Sequence, residues 1–134
     1  SLRVNEFCGK LGASNVILVS VHCNAAGNGD WMNARGWSAY TSKGNTKADT
    51  LASCLYAAAA EHLPAGTKIR SDWSDKDPDW EENFYVLTKT RCPAVLTENF
   101  FQDNRDDVAF LLSQEGRQAI VKLHVEGIIK YIGA

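Results

Sequence analysis

A histidine and a glutamate close the two most apolar runs of this 134-residue chain. His22 follows Val16-Ile17-Leu18-Val19-Ser20-Val21, and Glu98 follows Pro93-Ala94-Val95-Leu96-Thr97. An imidazole so placed can bind a metal or simply hold a hydrogen bond. A carboxylate there can serve catalysis, cap a neighbouring helix or pair with Arg91. Cys23 and Cys92 offer another chemistry, since a thiol at a strand end can act as a nucleophile. Cys23 directly follows His22, however, and neighbours along a strand point to opposite faces, so the two do not form a natural dyad.

Runs this apolar read as strands buried on both faces, which places them in an α/β protein whose helices cover a largely parallel sheet. Ligands and reactive groups in such sheets gather at the carboxyl ends of strands, so His22 and Glu98 are candidates for one site. Between them the spacing predicts alternating elements. Val4, Phe7, Cys8 and Leu11 repeat at helical spacing with Gly12 able to close the helix. Ala25 to Asn33 reads as a loop, followed by a short strand around Gly36 to Thr41. Thr46 and Asp49 form a capping box ahead of Ala48, Leu51, Ala52, Leu55 and Ala59, a helix that stops before Pro64.

The polar, acidic stretch from Arg70 to Asn83 carries Trp73 and Trp80, and is either a solvated connection with two docking tryptophans or the wall of a substrate groove. Phe84 to Leu87 can supply a strand. Asn104 with Asp107 caps a short helix through Leu112, and Ser113 begins the last helix. His62 falls where it can serve a helix C-terminus, and His124 reads as a packing histidine.

Composition excludes several classes. The formal charge is −2 and the basic residues are scattered, so no nucleic-acid surface is expected. No stretch approaches the roughly 18 apolar residues of a membrane span, and residues 1–20 do not read as a charged n-region followed by an apolar core, which leaves any targeting signal to an upstream segment. At 45% hydrophobic residues the chain suits one domain with one core, and the four cysteines, lacking a C-x-x-C pair, read mainly as buried free thiols.

Taken in order, Ser20-Val21-His22-Cys23-Asn24-Ala25, Tyr40-Thr41-Ser42, Phe84-Tyr85-Val86-Leu87, Pro93 to Phe101 with Asn104, and the closing Ala119, Gly127, Ile128 and Tyr131 resemble the zinc-dependent N-acetylmuramoyl-L-alanine amidases of the third amidase family. The resemblance implies a three-layer α/β domain with a mostly parallel central sheet, a zinc cofactor, and hydrolysis of the amide between N-acetylmuramic acid and L-alanine in peptidoglycan. It implies peptidoglycan or muramyl peptides as partner, no membrane insertion, and the bacterial cell envelope as compartment. His22 matches a zinc-ligating histidine and Glu98 the catalytic glutamate. Asn24, Trp73, Trp80 and Asn99 are weaker candidates for substrate contact.

The family's other two zinc ligands, a histidine and a glutamate, lie N-terminal to anything present. The whole of residues 1–134 is thus expected to be one N-terminally truncated catalytic domain. A peptidoglycan-binding module with an incomplete metal site is the alternative.

Overall fold

The computed structural model describes residues 2–43, 46–74 and 76–133. Its elements in chain order are α1 (Leu2–Leu11), a 3₁₀ turn (Ala13–Asn15), β1 (Leu18–Asn24), β2 (Trp37–Thr41), α2 (Lys47–His62), β3 (Trp80–Glu81), α3 (Tyr85–Thr88), β4 (Ala94–Phe101), α4 (Arg105–Leu112) and α5 (Gln114–Ile132). The strands order as β1-β4-β2-β3. β1 and β4 run parallel with His22 opposite Glu98, while β2 runs antiparallel to β4 and parallel to β3. The sheet is therefore mixed. β1 and β4 end at one edge of the sheet, and β2 and β3 end at the other.

Alternation sorts the strand residues between two faces. Trp37, Ala39 and Val95 join Leu51, Leu55 and Ala59 of α2 and Leu123 of α5 in the main core. Leu18, Tyr40, Ala94 and Leu96 pack with Val86 and Leu87 on the other face. Each fully buried leucine contributes roughly 1.5–3 kcal/mol relative to exposure. α2 starts where expected, with the Thr46 amide donating to Asp49 Oδ2 at 3.0 Å. α2 and α5 cross closely because Gly127 has no side chain: a Cβ there would stand 2.7 Å from Leu55 Cδ2 and 3.0 Å from its Cα.

Asn104 Oδ1 accepts the Asp107 amide and Ser113 Oγ the Gly116 amide, so both expected caps form. His124 is indeed a packing histidine, facing Thr97 Oγ1 at 2.9 Å and the Ile120 carbonyl at 2.7 Å.

Three expectations are corrected. β1 is not buried on both faces: among the described strands it is an edge, Val21 is 58% exposed, and His22 and Cys23 are exposed too. Phe84 to Leu87 is not a strand. Phe84 precedes the single helical turn of α3 and its ring lies 5.4 Å from that of Tyr40. A four-residue apolar run satisfies either period, and docking onto the sheet face decides it. Of the cysteines, Cys8 and Cys92 are buried, Cys54 is half-buried and Cys23 is exposed, all four free.

Candidate active site

Glu98 occupies the last regular position of β4. Immediately after it the ladder slips: His22 pairs with Glu98, but Asn24 pairs with Phe101, so β4 spends three residues where β1 spends two. Phe100 takes up the bulge with φ of +69°, a left-handed conformation that costs a non-glycine residue about 1–2 kcal/mol. Tertiary contacts hold it there. Phe100 is buried against the Phe110 ring at 4.9 Å, and Asp107 Oδ2 accepts the amides of both Phe101 and Gly36 at 2.9 Å. A bulge of this kind re-aims the side chains beside it.

Glu98 is partly buried, and its Oε2 has no hydrogen-bond partner. Burial pushes its pKa up, with His22 pulling the other way. Across the sheet Ser38 faces Glu98 with a buried hydroxyl that also interacts with Tyr40. His22 is exposed, with Nε2 2.8 Å from Ser20 Oγ. The end of the sheet thus presents an imidazole, a carboxylate and a hydroxyl on adjacent strands. A carboxylate whose pKa is raised by burial is better suited to take a proton from water and return it.

Asn99 does not face the same space. It is 2% exposed, its Oδ1 accepts from Trp37 Nε1 at 2.8 Å, and its amide donates to the His22 carbonyl and to Thr97 Oγ1. It fixes β1 against β4 at the level of His22 and Glu98. Asn24 turns its side chain back to the Ala25 amide at 2.9 Å. Trp80 stands opposite Tyr40 with ring centroids 6.4 Å apart, on the Glu98 face of the sheet. Trp73, 64% exposed, instead borders a groove of about 520 Å³ with Tyr56, Ala57 and Ala60 of α2, on the other face. The geometry therefore gathers His22 and Glu98, puts Trp80 on the same face but beside Tyr40 toward the far end of β2, and leaves Trp73 apart.

Sequence reasoning missed Ser38 and Asp103. The Asp103 carboxylate accepts the amides of Ala26 and Gly27 at 2.9 Å, and the Met32 amide donates to the Asp103 carbonyl at 2.6 Å. Those amides hold the Asp103 carboxyl below the usual carboxylate range. The loop after β1 is thereby stapled to the turn after β4, and both border a cleft of about 310 Å³ with Gly29 and Trp31. No local period marks either residue.

As nucleophiles the thiols fit poorly. Burial and then Glu98 raise the Cys23 pKa, while burial and Cys8 push that of Cys92 to about 11, so both stay protonated near neutrality.

Zinc needs three protein ligands beside an open position. Among the described residues no further histidine, cysteine or carboxylate completes a three-ligand group with His22. This part of the chain offers one ligand, not a zinc centre.

A family described as N-acetylmuramoyl-L-alanine amidase matches residues 11–130. The chain is 44% identical over 48 residues to the N-acetylmuramoyl-L-alanine amidase CwlM of Bacillus licheniformis, which is 36% of this chain and 19% of that protein. It is 43% identical over 47 residues to an endolysin of Bacillus phage SPP1, 35% of this chain and 17% of the endolysin. Among solved structures it resembles the amidase AmiC2 of Nostoc punctiforme with a TM-score of 0.74 at 24% identity, covering 96% of this chain and 63% of that one. The catalytic domain of CwlV from Bacillus (Paenibacillus) polymyxa gives a TM-score of 0.74 at 22% identity, with the same coverage of 96% and 63%. The chain thus spans under a fifth of these two curated relatives and about two thirds of the similar structures.

Proposed function

Since the chain belongs to the N-acetylmuramoyl-L-alanine amidase family, we propose that it is the larger part of a catalytic domain that hydrolyses the amide between N-acetylmuramic acid and L-alanine in peptidoglycan, at the bacterial cell envelope. One observation carries this reading: the partnerless, partly buried Glu98 oxygen lies beside the His22 imidazole at an open end of the sheet. Glu98 takes a proton from the attacking water and hands it to the departing amine, which is a poor leaving group as an anion. Ser38 borders the space in which the scissile amide sits. Asp103 holds the loop that forms the rim.

His22 is the one zinc ligand the described residues supply, and the remaining ligands come from outside them. Bound zinc would lower the pKa of its water toward 7 and polarise the scissile carbonyl. A second reading, a peptidoglycan-binding module of the same fold, draws on that single imidazole. The test is to measure zinc in the purified 134-residue chain after dialysis against chelator, then assay muropeptides for newly freed L-alanine amino groups. Sub-stoichiometric zinc with little turnover is expected from this chain, and turnover from the protein that carries the other ligands. Retention of muropeptides by that longer protein without release of amino groups would favour the binding module.

A further inference from the structure

At the other end of the sheet, three carboxylates converge. Asp49 stands in the first turn of α2, and Asp77 and Asp79 in the segment leading to β3. One oxygen of each can be chosen so that all three lie within 4.8 Å of one another. The cluster is far from Glu98: Ser38 of β2 faces Glu98, and the three further residues to Thr41 carry the strand about 10 Å toward the opposite edge.

Asp49 is 7% and Asp79 1% exposed. Burying like charges together is costly unless something positive joins them. No ion pair among the described residues involves Asp49 or Asp79. The Asp79 carboxyl is held well above the usual carboxylate range, first by burial and further by Asp77 and Asp49. Donors are scarce as well. Thr41 Oγ1 lies 3.0 Å from Asp49 Oδ1 and 2.6 Å from Asp79 Oδ2, yet it has a single proton to give. Asp79 Oδ1 is buried with no amide or hydroxyl donor on it, and the Asp79 carboxyl has that of Asp77 as a hydrogen-bonding neighbour. A buried carboxylate oxygen that no amide or hydroxyl reaches, beside two further carboxylates, can be satisfied by a bound cation.

We propose that Asp49, Asp77 and Asp79 form a binding site for a hard divalent cation, separate from the His22–Glu98 site. The donor set is all oxygen, which suits calcium or magnesium over zinc. Asp77 is half-buried, so the site has an opening through which the ion enters and waters complete the shell. The ion would tie the segment bearing Trp73 and Trp80 to the start of α2 and the end of β2.

The experiment is calorimetric titration of calcium chloride into chelator-stripped 134-residue chain carrying His22→Ala, which leaves the other site out of the readout. One saturable site is expected, weakened at least tenfold by Asp77→Asn and by Asp79→Asn, with a calcium-dependent rise in Tm in the parent chain only. Asp77→Asn, on the half-buried member, keeps the comparison valid should Asp79→Asn fail to fold. Absence of saturable uptake, or uptake indifferent to both substitutions, overturns the proposal. So does a chain that ignores calcium while Asp79→Asn raises its Tm, because a proton then neutralises the cluster.

Discussion

Each end of the sheet holds a carboxylate oxygen that no amide or hydroxyl reaches, Glu98 Oε2 at one and Asp79 Oδ1 at the other, and their surroundings give them opposite uses. Glu98 sits at the parallel end, beside an exposed imidazole on an open edge strand, with only partial burial raising its pKa. Asp79 sits at the far end, closed in by a hydroxyl and two further carboxylates. An open carboxylate with a raised pKa can exchange protons with a substrate. An enclosed one among like charges holds an ion. Access and neighbouring charge decide between the two.

The largest expected effect comes from replacing the open carboxylate. Glu98→Gln in the protein carrying the complete zinc ligand set should lower amide hydrolysis by about 10²–10⁴-fold, the usual contribution of a positioned acid or base. Stability should move the other way. Because the Glu98 pKa is raised in the fold, the folded state holds the proton more tightly than the unfolded one. Its contribution therefore falls as pH rises from the unfolded value through the raised one. Glu98→Gln should consequently be at least as stable as the parent at pH 7, and lose less stability as pH rises above the ordinary carboxylate range, in urea titrations. Loss of activity together with loss of stability would mean that Glu98 is structural and that the contrast between the two ends fails.

Next in size is the support beneath the open end. Asn99→Ala leaves the buried Trp37 indole N–H without its acceptor and removes a donor from the His22 carbonyl, at a cost of about 1–3 kcal/mol. Denaturant unfolding measures that cost directly. Calcium uptake by the closed end should persist in the folded variant while hydrolysis declines, because Asn99 fixes the register of β1 on β4 and has no hydrogen bond to the acidic cluster.

Much of this arrangement is legible locally. The Thr46–Asp49 box, the Asn104 and Ser113 caps, and the apolar runs ending at His22 and Glu98 each declare themselves within a few residues, because capping and periodicity are short-range. The pairing of His22 with Glu98 follows from topology once both runs are strands. What escapes is carried by distant partners. Phe100 gives no sign that it takes a left-handed bulge, a place glycine usually fills, because the stabilising contacts come from Phe110 and Asp107. The exposure of β1 depends on what pairs with its edge, not on its own apolar residues. Thr41, Asp49, Asp77 and Asp79 share no motif and meet only when β2, α2 and the approach to β3 converge. Trp73 and Trp80 sit in one segment yet part to opposite faces of the sheet.

The smallest effect separates rim from chemistry at the open end. Asp103 lies at the surface, so Asp103→Ala should change global stability little. It does release the Ala26 and Gly27 amides and thus loosens the loop after β1 from the turn after β4. A rim that positions substrate acts mainly on binding, so KM for a muropeptide should rise several-fold while kcat falls less. Asp103→Asn, which keeps an acceptor oxygen, should recover part of the loss. Because those amides hold the Asp103 carboxyl below the usual range, its hold on the loop should survive mild acid and weaken only under stronger acid. A kcat loss as deep as that of Glu98→Gln, without rescue by Asn, would move Asp103 from the rim into the proton-transfer machinery and redraw the boundary of the open end.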